Sequence, residues 1–277
     1  MVVSAASPSA AAVARRWQQS DIDYVAAKLV SARRCVALTG AGVSKGSGIP
    51  TYRDAVGGTG LWDGSALGVL AFGTPLGFLF APALAWRHYC ERLLVPIRAA
   101  KPNPAHAALA GLEALLPDFA VVTQNVDGLH QRAGSTQVVE LHGSVASHRH
   151  AWLGTGVAVP AGPPDPESPP APFARPDVVM FLEQIPLIVW LQAESLVDEL
   201  APGDVLLVAG TSCAVVPAAT LPATALLRGA TVVEINPEPT LAADGGDDVV
   251  HLAGDAGQIL AAVAERVAAL LGDERPP

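Results

Sequence analysis

The chain has 277 residues, 51% of them hydrophobic, enough for one large α/β domain with an insertion or a large domain joined to a small one. Its net charge of −9 comes with no Lys/Arg run, so the electrostatic footprint of a nucleic-acid binder is missing. The most apolar stretch, Leu67 to Ala83, is interrupted by Gly68, Gly73, Pro75, Gly77 and Pro82, which argues against a membrane span.

In chain order, residues 1–20 are Ala/Ser-rich with Arg15 and Arg16 and no acid, and read as a disordered tail, a composition shared with transit peptides. Asp21–Ala32 predicts a helix with Ile22, Val25, Ala26 and Leu29 on one face. Cys35–Leu38 is a short apolar run that meets Thr39-Gly40, the pattern of a buried parallel strand entering a glycine turn. Further runs at Phe119–Val122, Val138–Leu141, Val178–Phe181, Val205–Val208 and Thr231–Ile235 predict strands of the same kind. Helical stretches fall between several of them, at Trp86–Leu94, Pro104–Leu116, Leu187–Leu200 and Ala218–Leu227. The last helix is expected over Gly257–Leu271, capped by Asp255 and ended by Gly272. This alternation implies a Rossmann-like, doubly wound parallel sheet. Residues 54–85 lack clear caps and residues 154–176 are proline-rich and read as a loop. The domain reading is a tail over 1–20 and one domain over 21–277, with small-domain insertions at about 54–103 and 144–176.

After the first strand stands Gly40-Ala41-Gly42-Val43-Ser44, continuing through Ser47-Gly48-Ile49-Pro50 to Tyr52-Arg53. Glycines here let a backbone approach a phosphate, and the helix that follows offers free N–H groups. The dehydrogenase fingerprint wants glycine where Lys45 stands, so hydride transfer is disfavoured. The longer string resembles the first signature of the sirtuins, NAD-dependent protein deacylases. Thr123-Gln124-Asn125-Val126-Asp127-Gly128-Leu129-His130 resembles their next signature, and Glu140-Leu141-His142-Gly143-Ser144 the segment with the catalytic histidine. Gly210-Thr211-Ser212 and Asn236-Pro237-Glu238 are similar to the sites for phosphate and adenosine ribose, in the family's order.

The resemblance implies that NAD is consumed as a co-substrate and that acyl-lysine proteins or peptides are the partners. Gly40, Ala41, Gly42, Ser44 and Arg53 would then hold phosphates and ribose, Ile49 and Asp127 the nicotinamide amide, and Asn125 and Gln124 the adjacent ribose. Tyr52 stands where the family has Phe, and Ala256 belongs with the cofactor-binding set. His142 is the expected general base, with Asn125 and Asp127 beside it; an unperturbed imidazole, pKa about 6.5, is mostly neutral at pH 7. A buried Asp127 needs hydrogen-bond donors, and a carboxamide is one source of them. His106, His130 and His251 read as structural.

Tyr89 and Arg92 are three apart on the Trp86–Leu94 helix and share a face. In sirtuins that remove succinyl, malonyl or glutaryl groups, a Tyr-x-x-Arg pair at this place binds the acyl carboxylate, which a guanidinium suits. The Arg175–Glu183 segment is similar to the strand that meets the substrate backbone, with Val179, Phe181 and Glu183 as contacts; the family has Gly where Leu182 stands.

Most sirtuins carry a four-cysteine zinc module after the catalytic histidine. This chain has only Cys35, Cys90 and Cys213, far apart, so neither a disulfide framework nor a zinc site is expected. His148, His150, Asp165 and Glu167 are spaced too irregularly to replace it. Reduced-looking cysteines and missing signals suggest a cytoplasmic protein, with a mitochondrial one as the alternative. An NAD glycohydrolase or ADP-ribosyltransferase, and a non-catalytic NAD-binding module, are the rival readings. Asn125, Asp127 and His142 disfavour the module, while the lost zinc ligands and Leu182 leave room for the other two.

Overall fold

The computed structural model describes residues 17–49, 72–150, 156–157, 174–241 and 248–273. The strands are β1 (Cys35–Thr39), β2 (Phe119–Thr123), β3 (Val138–Glu140), β4 (Gly143–His150), β5 (Gly156–Val157), β6 (Ala174–Val178), β7 (Val205–Ala209), β8 (Thr231–Asn236) and β9 (Val249–Ala253). The α-helices are α1 (Gln19–Ser31), α2 (Ala41–Ser44), α3 (Pro75–Phe80), α4 (Pro82–Tyr89), α5 (Val95–Ala99), α6 (Pro104–Leu115), α7 (Leu129–Ala133), α8 (Leu187–Asp198), α9 (Leu221–Leu227) and α10 (Ala256–Asp273).

Six parallel strands form the main sheet in the order β3-β2-β1-β7-β8-β9. Strands β1, β2, β7 and β8 are buried along their whole length, which is why each reads as an unbroken apolar run. One face packs Val121, Leu207 and Val233 against α1, α6 and α10, through Ile22, Leu109 and Ile259 among others. The other packs Val36, Leu206 and Val232 against α8 and α9, through Val197 and Leu221. The sheet is therefore doubly wound, and its strand order reverses between β1 and β7.

Register places the site. Thr39 is level with Thr123 and Ala209, and Ala209 with Ile235. The four strands thus end together, and the loops that follow them emerge along one edge at the reversal point, where α/β sheets bind ligands.

The second sheet is small and antiparallel, in the order β5-β4-β6. Its Val145 and Val178 share a cluster with Phe78, Trp86, Tyr89 and Leu94 from the helical segment before α6. Val178–Phe181, expected as a strand of the main sheet, is not one. Strand β6 ends at Val178, which packs in the small cluster, while Phe181 is 40% exposed. Only Val178 of this run is fully buried, so four apolar residues in a row are not by themselves a buried strand.

Other boundaries move too. Helix α1 begins at Gln19, inside the stretch read as a tail; Trp17 packs on the main core, and the Asp21 carboxylate accepts the Gln18 N–H at 2.7 Å. Residues 1–16 lie outside the described residues. Helix α10 starts after Asp255, whose Oδ1 accepts the Gln258 N–H at 3.0 Å, but it runs past Gly272 to Asp273. Glycine permits a left-handed stop without requiring one. Within the segment read as a loop over 154–176, residues 156–157 and 174–176 are in strands and most of the rest lies outside the described residues. No described helix is long and apolar enough to cross a membrane.

The three cysteines stay apart. Cys35 lies in β1, Cys90 in the small cluster and Cys213 after β7, so they do not fit the zinc site of the family. Among the described residues no group of three or more His, Cys, Asp or Glu is placed to hold a metal. Asp165, Glu167 and the His150 side chain lie outside the description, and His148 is buried against Trp86 and Tyr89.

Leu182 sits where the chain turns after β6. The Glu183 N–H donates to the Met180 carbonyl at 3.1 Å, and Leu182 takes φ 72° within that turn, 82% exposed. A left-handed conformation costs a side-chain-bearing residue about 1–2 kcal/mol, partly offset in Gly by its greater unfolded-state freedom. Leu182→Gly is expected to stabilise the protein by up to about 1 kcal/mol, measured as a rise in the thermal midpoint. A fall would show that the leucine side chain makes compensating contacts.

Candidate active site

The four loops at the strand ends enclose a cavity of about 1280 Å³. That exceeds the roughly 300–1,000 Å³ of pockets for drug-sized ligands and leaves room for a dinucleotide and a second substrate. Gly40, Ala41, Gly42, Ser44 and Ile49 line it from the loop after β1, and Gln124, Asn125 and Asp127 from the loop after β2. His142 enters between β3 and β4. Gly210, Thr211 and Ser212 follow β7; Asn236, Pro237 and Glu238 close β8, and Ala256 opens α10. Tyr89, Arg92, Val179, Phe181 and Glu183 line the side formed by the small layer and the turn after β6. Of the residues expected from the sequence to act in catalysis or to bind cofactor or substrate, Tyr52 and Arg53 lie outside the described residues, and the others line this cavity.

The glycines allow two backbones to cross at contact distance. The Gly42 N–H donates to the Gly210 carbonyl at 2.8 Å, and a Cβ on Gly42 would stand 2.7 Å from Gly210 Cα. Gly210 itself has φ 61°, and a Cβ there would meet Val43 N and Gly42 Cα. Gly210→Ala is expected to lower stability by about 1–3 kcal/mol, the cost of a strained backbone position, read by urea unfolding. An unchanged midpoint would mean that the crossing has slack.

Polar side chains from separate loops hold one another. Ser44 Oγ donates to Asp127 Oδ2 at 2.6 Å, and the Leu129 N–H donates to Asp127 Oδ1 at 2.9 Å. Asp127, though 7% exposed, therefore has a protein donor on each oxygen before any ligand arrives. A ligand carboxamide is one source of such donors, and the protein already supplies two. Asn125 Nδ2 donates to the Gly40 carbonyl at 3.0 Å and to Ser44 Oγ at 3.1 Å, which uses both amide hydrogens and leaves Oδ1 as the spare acceptor. Gln124 Nε2 donates to Thr211 Oγ1 at 2.8 Å, joining the loops after β2 and β7.

His142 Nδ1 lies 2.9 Å from the Gln124 carbonyl. A carbonyl only accepts, so Nδ1 carries the proton and Nε2 keeps its lone pair. Burial, the larger influence, pushes the imidazole below its ordinary value, while the bond to Gln124 pulls the other way. The net result is a neutral ring with a basic nitrogen. The other histidines are tied into the fold. His106 Nδ1 accepts the Asn103 N–H at 3.2 Å at the start of α6, His130 Nε2 meets Thr39 Oγ1 at 2.9 Å, and His251 Nε2 the Asn236 carbonyl at 3.2 Å. Burial pushes His130 down to about 3.

Tyr89 and Arg92 both line the cavity, but not through the α-helical spacing that pairs them in the sequence. A π-helical turn over Cys90–Leu94 follows α4 and changes the angle per residue. Tyr89 is 5% exposed, and burial pushes its phenol up, so the hydroxyl remains a donor; its contact to the Val145 carbonyl is long, at 3.5 Å. Arg92 is exposed and forms no ion pair with any described carboxylate. Glu183 is engaged from below by Arg175, at 3.0 Å to Nη1, and accepts the Met180 N–H at 3.0 Å. Asn103 was not singled out as a site residue. Its Nδ2 donates to the Val43 carbonyl at 2.8 Å and to Ser47 Oγ at 2.9 Å, bracing the loop after β1. The cue in the sequence is Asn-Pro opening a helix, but its reach across 56 to 60 residues is a tertiary fact.

The Sir2 family profile matches residues 40–217. NAD-dependent protein deacylase 2 of Pyrobaculum aerophilum is 46% identical over 248 residues, 88% of this chain and 94% of its own. The NAD-dependent protein deacylase of Methylococcus capsulatus is 42% identical over 250 residues, covering 86% and 94%. Among solved structures, a Sir2 homolog–NAD complex superposes with a TM-score of 0.76 at 36% identity, covering 90% of this chain and 94% of that one. A Sir2–p53 peptide–NAD+ complex gives 0.71 at 31% identity, covering 91% and 98%. A parallel sheet with a glycine crossing at its reversal point, an acid and a neutral imidazole around one cavity, and this degree of identity lead to one assignment: the chain belongs to the Sir2 family, the sirtuins.

Proposed function

We propose that this chain is an NAD-dependent protein-lysine deacylase that favours acyl groups ending in a carboxylate. NAD is consumed with one water: the acyl group passes from lysine to ADP-ribose, nicotinamide leaves, and free lysine and O-acyl-ADP-ribose are the other products. The acyl oxygen attacks the ribose carbon as the bond to nicotinamide breaks. His142 Nε2 then takes a proton from a ribose hydroxyl, and that oxygen attacks the acyl carbon.

The observation that carries this reading is the tautomer of His142. Its proton is committed to the Gln124 carbonyl, so the cavity that also holds Asp127 and Asn125 receives a ready base. In the same reading the phosphates lie along the Gly40–Gly42 and Gly210–Ser212 crossing, the adenosine ribose lies at Asn236–Glu238, and the nicotinamide lies near Ile49 and Asp127. Val179, Phe181 and Glu183 flank the peptide. The preference for acidic acyl groups rests on Arg92, a cation on the cavity wall without a described carboxylate partner, and on the Tyr89 hydroxyl, whose one described bond is long.

Mass spectrometry of the protein mixed with NAD and either acetyl-lysine or succinyl-lysine peptide tests it. O-acyl-ADP-ribose in step with deacylated peptide is the expected result. Nicotinamide release that does not depend on peptide would mark an NAD glycohydrolase instead.

A further inference from the structure

A buried carboxylate stands beneath the adenosine end of the cavity. Glu234 lies in β8, 1% exposed, two residues before Asn236. Its Oε1 accepts Asn236 Nδ2 at 2.8 Å and the Thr240 N–H at 2.7 Å, and it also accepts the Thr240 hydroxyl; its Oε2 accepts the Leu241 N–H at 3.3 Å. No described lysine or arginine pairs with it. A carboxylate in this position is not needed to fill space.

What the carboxylate does is orient an amide. One hydrogen of Asn236 Nδ2 goes to Glu234 and the other to the Thr211 carbonyl at 2.9 Å. With both hydrogens taken, Oδ1 is the group left for a ligand, and Asn236 lines the cavity. A sugar diol brings hydroxyl donors, which an amide oxygen satisfies and an amide NH₂ does not. Glu234 also draws the segment through Thr240 and Leu241 over the end of β8, so the loop and the amide are set by the same group.

We propose that Glu234 is a positioning residue for NAD: by capturing the Asn236 NH₂ it presents an acceptor to the adenosine ribose. This rests on the placement of that ribose at Asn236 given under the proposed function.

The test compares NAD with two analogues, one lacking the 2′-hydroxyl and one the 3′-hydroxyl of the adenosine ribose, in wild type, Glu234→Ala and Glu234→Gln. Wild type is expected to bind at least one analogue on the order of tenfold more weakly than NAD, the worth of about one hydrogen bond. In Glu234→Ala the KM for NAD rises by about that factor, kcat at saturating NAD stays within about threefold, and the discrimination between NAD and the analogue disappears. Glu234→Gln, which keeps an oxygen for Asn236, recovers most of the discrimination. If Glu234→Ala is too unstable to assay, Thr240→Val is used in its place and is expected to weaken discrimination in part. Full discrimination in Glu234→Ala, or equal loss of affinity for NAD and analogue, overturns the role of Glu234. Absence of discrimination in wild type overturns the ribose placement itself.

Discussion

Replacing His142 by alanine is expected to lower kcat with either acyl peptide by about 10²–10⁴, the usual contribution of a positioned general base. The fold should survive, because the ring gives up only its bond to the Gln124 carbonyl, an atom that water can reach once the side chain is gone. The pH profile gives the sharper check. A base works in its neutral form, and burial holds the His142 imidazole below its ordinary value of 6.5. The acid limb of kcat/KM should therefore fall below pH 6.5, with a plateau through neutrality. Sign and cause agree: burial penalises the protonated ring, so more acid is needed to switch the base off. Measurement of kcat/KM from pH 5 to 8 decides it. An acid limb above pH 6.5, or the same limb retained in His142→Ala, would place the base elsewhere.

The second large effect concerns the acyl group. A hydrogen bond from a charged donor contributes about 1.5–3 kcal/mol, or roughly 10- to 150-fold in a rate ratio. Arg92→Ala should cut kcat/KM for a succinyl-lysine peptide by that factor and change the acetyl-lysine value by less than about threefold. Tyr89→Phe, which removes a neutral donor, should cost the succinyl reaction about 2- to 12-fold. The two effects are not independent, since both groups would grip one carboxylate, and the double variant is expected to lose less than the product of the singles. Equal losses for acetyl and succinyl substrates in Arg92→Ala would show that the arginine supports the wall of the cavity and does not read the acyl group.

These expectations draw on different depths of information. Strands β1, β2, β7 and β8 were visible as apolar runs because both faces of the main sheet are covered, so nearly every side chain had to be apolar. Strand β4 was not visible. Its Gly-Ser-Val-Ala-Ser-His-Arg-His sequence has little apolar content, and it is a strand because β6 pairs with it. Strand β9 closes the edge of the main sheet, is only partly buried, and carries His251 in mid-run. The apolar run at Val178–Phe181 is not a strand of the main sheet: only Val178 is in a strand, β6 of the small sheet, and Phe181 is exposed, because an apolar run does not fix what covers it.

By itself the sequence determined the doubly wound class, the family, and the loops that meet at the sheet edge, because these depend on local patterns and on order along the chain. Only the tertiary structure decided which atoms are left for chemistry. Ser44 and Asp127 are 83 residues apart, Gln124 and Thr211 87. Their bonds exist because the strands carrying them end level. The tautomer of His142 and the spare oxygens of Asn125 and Asn236 follow from contacts across the fold. The physical reason is that hydrogen bonding is a matter of ångströms between groups distant in sequence. A residue's type says what it can donate or accept, and the packed neighbours settle which of those capacities remains free.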